Sequence, residues 1–106
     1  MQGLMMDVPL LITEIMNHAE RNHAQQEIVS VTNDDPSHRY TFSDCFQRAR
    51  KLANVFEKLG AGPDAKIATL AWNDYRHMEL YFSISCSGRI CHTINPRLCT
   101  EQLIYI

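Results

Sequence analysis

With 106 residues the chain has room for one small domain. Its 45% hydrophobic and 21% charged residues suit a soluble globular protein and are too apolar for a disordered one. A net charge of -2 gives nucleic acid or an anionic membrane no electrostatic hold, and no stretch approaches the roughly 20 apolar residues that span a bilayer.

The N-terminus, Met1-Gln2-Gly3-Leu4-Met5-Met6-Asp7, lacks the basic start and cleavage pattern of a leader peptide, so the cytosol is the expected compartment. The basic run Arg48-Ala49-Arg50-Lys51 falls within a helical pattern and is expected on a solvated face. The cysteines at 45, 86, 91 and 99 form no CxxC pair and read as reduced, small apolar side chains. A zinc site from Cys86, Cys91, His92 and Cys99 is disfavoured, because neighbours on a strand point to opposite faces.

The first element is a helix from about Val8 to Asn22, with Leu11, Ile12, Ile15, Met16 and Ala19 at helical spacing and Asp7 and Pro9 marking its start. A β-branched run, Glu27 to Thr32, and His38-Arg39-Tyr40 flank the turn-rich Asn33-Asp34-Asp35-Pro36-Ser37. That pattern predicts a hairpin with a loop of about five residues. Thr41-Phe42-Ser43-Asp44 then resembles a capping box with Asp in place of Glu. The helix behind it carries Phe42, Cys45, Phe46, Ala49, Leu52, Ala53, Phe56 and Leu59 on one face, and Gly60 closes it.

After the turn at Gly62-Pro63-Asp64, Lys66 to Trp72 is apolar nearly throughout, as in a strand covered on both faces. Asn73-Asp74 caps a helix from Tyr75 to about Ser87, with Met78, Tyr81, Phe82 and Ser85 inward and Gly88 at its end. Arg89 to Ile94 is another strand, Asn95-Pro96 breaks it, and a further helix begins at Thr100. The order predicts an α/β fold with a β-hairpin and a right-handed parallel βαβ unit. Stopping at Ile106, soon after Leu103 and Ile104, reads as an incomplete, truncated domain.

Several blocks carry a family resemblance. They are Met5-Met6-Asp7, Glu27-Ile28-Val29-Ser30, His38-Arg39-Tyr40-Thr41-Phe42, Gln47 to Ala53, Ile67 to Asn73, Tyr75 to Phe82, and His92-Thr93-Ile94-Asn95-Pro96-Arg97-Leu98. In this order and over almost the whole chain they resemble the N-terminal region of adenylate-forming, AMP-binding acyl-CoA synthetases of medium- and long-chain fatty acids. The last three blocks are the specific ones. Two departures stand out: Pro63-Asp64-Ala65 where the family commonly has Pro-Gly-Asp, and Cys86 before Ser87-Gly88 where an apolar residue is usual. Asp64 is therefore expected at a turn position that favours glycine.

The resemblance implies that residues 1–106 are the N-terminal portion of an AMP-binding domain. The parent would activate a carboxylic acid with ATP and Mg to an acyl-adenylate and pass it to CoA, and it leaves homo-oligomerisation open. In the family, the phosphate loop, the magnesium acid, the ribose aspartate and the mobile lysine all lie beyond the stretch matched here. The glycines at 3, 60, 62 and 88 form no phosphate loop, and the segment alone is expected to be inactive, with no catalytic, cofactor or metal residue. The candidates for ligand contact, or for a wall of the acyl pocket, are Trp72, Asn73, Asn95, Pro96 and Arg97. The first two end a strand where α/β folds place ligands. Asn73 is also explained as a helix cap, and 95–97 as a turn.

Arg76 and Glu79, at i and i+3, are expected to form a surface ion pair, and His77 to be a packed or solvated histidine rather than a base. Asp7 reads as a helix cap before a contact to a partner subunit. The competing reading is a standalone, non-catalytic α/β interaction module. A dehydrogenase-type half-domain lacks its G-x-G-x-x-G.

Overall fold

The computed structural model describes residues 3–106, so Met1 and Gln2 of the N-terminal stretch lie outside the described residues. The elements run α1 (Ile12–His23), β1 (Glu27–Ser30), β2 (His38–Thr41), α2 (Phe42–Lys58), β3 (Lys66–Leu70), α3 (Tyr75–Ser85), β4 (Ile90–Ile94) and α4 (Thr100–Tyr105). β1 and β2 form an antiparallel hairpin, and β3 and β4 pair in parallel with α3 as the crossover. The α/β expectation, hairpin and βαβ unit included, is what the chain adopts.

α1 starts at Ile12 rather than Val8, with Leu11 as an uncapped N-cap. An Asp7 cap would place Val8 in the helix, and the following Pro9 disfavours helical backbone at that residue. Gly3 to Leu11 is exposed instead. The hairpin connection runs from Val31 to Ser37, longer than expected. Thr32 leaves the ladder to turn onto Asp35, whose carbonyl accepts from its N–H at 3.0 Å.

α2 is the best-specified element. Thr41 Oγ1 accepts from the Asp44 N–H at 3.2 Å, while the Asp44 carboxylate accepts from the Thr41 N–H at 3.0 Å, a reciprocal cap. Cys45, Phe46 and Ala49 are buried, and Ala53 and Phe56 half-buried. Phe46 packs edge-on to Phe82 of α3 at 5.1 Å between ring centroids. The basic run on α2 ties helices together rather than facing only solvent. Arg48 Nε donates to Glu79 of α3 at 2.7 Å, and Arg50 holds Glu20 of α1.

α3 differs from its expected form in three ways. Asp74, not Asn73, is its cap, with Oδ1 accepting from the N–H groups of Arg76 and His77 at 2.9 and 3.2 Å. Glu79 pairs with Arg48 and not with Arg76, which reaches Asp34 of the hairpin loop at 3.1 Å. Its buried residues are His77, Glu79, Ser83 and Ile84, because α2 and the β3–β4 pair cover it from two sides.

β3 ends at Leu70 and is not covered on both faces. Thr69 is buried under α3, whereas Leu70 and Ile90 are 59% and 48% exposed on the opposite face. Met16, Cys45, Phe46, Ala49 and Ile84 are the buried apolar side chains among the described residues, so the core sits between the helices and beneath the hairpin. Among the described residues no helix is long and apolar enough to cross a membrane.

Candidate functional site

Parallel strands end at the same edge, so the loops after β3 and β4 emerge side by side. There Ala71, Trp72 and Asn73 face Ile94, Asn95, Pro96 and Arg97 across a cavity of about 400 Å³, whose remaining wall is His77, Tyr81 and Thr93. All five residues singled out from sequence line this one cavity. A smaller cavity of about 170 Å³ lies among α1, α2 and α3 with a mostly apolar lining. It is a packing gap among helices, away from the strand ends.

The loop after β4 is shaped by Asn95, whose Oδ1 accepts from the Arg97 N–H at 2.9 Å while its carbonyl accepts from the Leu98 N–H at 3.2 Å. This Asx turn aims Arg97 back over Trp72, with the guanidinium carbon 5.5 Å from the indole centroid. Trp72 is held in turn by its carbonyl, which accepts from the Asp74 N–H at 3.0 Å at the start of α3. No carboxylate lines the cavity. With a guanidinium, two carboxamides, an imidazole and an indole, it suits a ligand carrying both an acceptor and an apolar body.

His77 is packed rather than solvated: it is 5% exposed, and Nε2 lies 3.0 Å from Thr69 Oγ1 on β3. Its ring stacks on Tyr81 at 4.5 Å between centroids. The i, i+4 spacing puts both rings on one helix face, which was visible in the sequence. That this face meets the strand ends follows only from the crossover. Arg76 faces the hairpin and Glu79 the α2 side, so neither joins the cavity.

Burial pushes the thiols of Cys45, Cys86 and Cys91 up, which keeps them protonated and poor nucleophiles or metal ligands. Among the described residues no group of three His, Cys, Asp or Glu is arranged for a metal ion. Gly60 and Gly88 take positive φ at 82° and 73°, as turn glycines. No heavy atom lies within 4 Å of an added Cβ at Gly60, Gly62 or Gly88, so none marks a close backbone cradle. Among the described residues neither the glycines nor any acidic cluster fits ATP or Mg.

A hairpin feeding a capped helix, followed by a parallel βαβ unit with a lined cavity at its strand ends, is an α/β architecture of the kind that places ligands beyond the strand ends. Comparison with known proteins gives the family. The profile of the AMP-binding enzyme family matches residues 16–106. The 3-methylmercaptopropionyl-CoA ligase of Ruegeria lacuscaerulensis is 48% identical over the whole chain, which covers 20% of that protein. The medium-chain-fatty-acid–CoA ligase of Ectopseudomonas oleovorans is 43% identical, again over the whole chain and 19% of the relative. The long-chain-fatty-acid–CoA ligase of Thermus thermophilus is 36% identical over 96% of the chain and 19% of its own length. The chain belongs to the AMP-binding enzyme family, and it spans about a fifth of the length of these relatives.

Proposed function

We propose that this chain is the N-terminal portion of the adenylate-forming domain of an acid–CoA ligase. The parent joins a fatty or related carboxylic acid to ATP, giving an acyl-adenylate and pyrophosphate, and the CoA thiol then displaces AMP to give the thioester. Mg, ATP and CoA are substrates or cofactors of the parent, bound by residues beyond this segment. The segment supplies scaffold and one ligand-facing wall: Trp72, Asn73, Asn95, Pro96 and Arg97 form the edge of the acid's pocket. The parent works in the cytosol.

The observation that carries this reading is 48% identity to a CoA ligase along the full 106 residues, with two fatty-acid–CoA ligases aligned over nearly the same span. The experiment has two arms. The full-length protein carrying this segment, given Mg-ATP, CoA and octanoate, releases pyrophosphate and forms a thioester. Residues 1–106 alone give no heat with Mg-ATP and no hydroxamate from trapped acyl-adenylate. Saturable ATP binding by the segment at micromolar concentration overturns the division of labour proposed here.

A further inference from the structure

The hairpin grips the first turn of α3 around one residue, Tyr75. Its N–H, one of the orphan donors of the helix start, is accepted by Ser30 Oγ of β1 at 3.0 Å, and its carbonyl accepts from the Tyr40 hydroxyl of β2 at 3.5 Å. The His38 ring stacks on the Tyr75 ring with 3.8 Å between centroids. His38 Nδ1 stands 3.6 Å from Asp35, beyond hydrogen-bond reach, and Nε2 is buried with no partner among the described residues. The stacking face is therefore what this ring contributes. Arg76, the next residue of α3, is drawn to Asp34 of the same hairpin at 3.1 Å.

Just before Tyr75 come Trp72 and Asn73, the β3 side of the strand-end cavity. Both also line a second cavity of about 360 Å³, which separates them from the hairpin loop at Val31 to Asp34. With space on both sides and 58% of its surface exposed, Trp72 is placed by its backbone and by the Arg97 stack. Its carbonyl accepts from the Asp74 N–H at 3.0 Å, and Asp74 caps the helix that Tyr75 begins. We propose that the hairpin braces the strand-end cavity, with His38 and Ser30 as positioning residues that act through Tyr75 on Trp72 and Asn73. The proposal rests on the acid–CoA ligase reading and adds to it the residues that hold this wall in place.

In the full-length protein, Trp72→Ala is expected to raise KM about ten-fold for either octanoate or CoA, which identifies the substrate lying against the wall. His38→Ala is expected to raise that same KM about three-fold with kcat within about two-fold of wild type. His38→Phe, which keeps a ring on Tyr75, is expected to restore it. Combined with Trp72→Ala, His38→Ala is expected to change that KM no further, because the side chain it acts on is already gone. A merely structural role would lower the melting temperature and add its effect to that of Trp72→Ala. Ser30→Ala, the milder change, is expected to speed amide exchange at Asp74 and Tyr75 while Phe46 stays protected, a readout that needs no turnover. Unchanged KM for both substrates in either single variant, additive effects in the double variant, or unchanged exchange at Asp74 overturns the proposal. A wild-type protein that forms no thioester from any acid overturns the ligase reading instead, and the exchange result still decides the brace.

Discussion

Asp64 holds φ at 61°, a left-handed backbone that costs a residue with a Cβ more than it costs glycine. It sits there because its N–H donates to the Gly88 carbonyl at 2.8 Å, locking the turn before β3 against the turn before β4. Asp64→Gly should therefore raise stability by about 0.5 kcal/mol and Asp64→Val lower it by about 1–2 kcal/mol, read as shifts in denaturation midpoint. This position was legible from the sequence because Asp tolerates the left-handed region better than most residues. The partner of Glu79 was not legible. Local spacing offered Arg76, but Arg48 lies on another helix, and only docking of α2 on α3 brings it to 2.7 Å. Glu79 is 5% exposed, so Arg48→Met, which strands its carboxylate, should cost about 3 kcal/mol. Glu79→Gln in the same background should recover part of that loss in a double-mutant cycle.

Among the elements, α2 was the most readable and α1 the least, for the same reason. The α2 start is fixed by side chains within one turn, Thr41 and Asp44, whereas α1 has no side-chain cap and follows a tight turn in which the Pro9 carbonyl accepts from the Leu11 N–H at 2.9 Å. The hydrogen bonds from Thr41 hold the Asp44 carboxyl below the usual carboxylate range. A depressed folded-state pKa means the cap contributes fully above the unfolded-state value and loses its contribution as pH falls through the folded one. Acid should accordingly fray the N-terminus of α2 before the core opens. In the full-length protein, amide exchange at Phe42–Cys45 should accelerate at the acid end while Ala49 and Phe56 stay protected. Thr41→Ala should cost about 1 kcal/mol and abolish that pH dependence. The cavity needed a longer-range fact. Trp72 and Asn73 could be placed at a strand end, and Asn95 to Arg97 in a turn. Their meeting follows from the Leu70↔Ile94 register of parallel strands, which no local pattern encodes.

For the whole molecule, the surface is too large for its mass. The chain exposes 8159 Å², whereas a compact monomer of 12.2 kDa exposes about 6,100 Å². Its radius of gyration of 16.4 Å exceeds the ~13 Å of a compact domain near this length. The excess is apolar where it matters. Leu70 and Ile90 lie bare on the uncovered face of the β3–β4 pair, Ile12 and Ile15 on α1, and Leu59 at the end of α2. Both strands also keep an unpaired edge, which invites pairing with another chain. Among the described residues Met16, Phe46 and Ile84, at roughly 1.5–3 kcal/mol each, and the smaller Cys45 and Ala49 are the buried apolar side chains, and they offset little of the ordering entropy of the backbone. Residues 1–106 in isolation should therefore be marginally stable, bind a hydrophobic dye such as ANS, and self-associate at micromolar concentration. Supplying the remaining four-fifths of a related CoA ligase by co-expression should move the segment into the soluble fraction, because the bare sheet face and edges would then find their cover. A monomeric elution profile with a cooperative melt above about 60 °C would refute this account, since a chain so exposed cannot reach the upper range of mesophilic domains. That result would favour an independent interaction module, whose exposed apolar face would be its working surface.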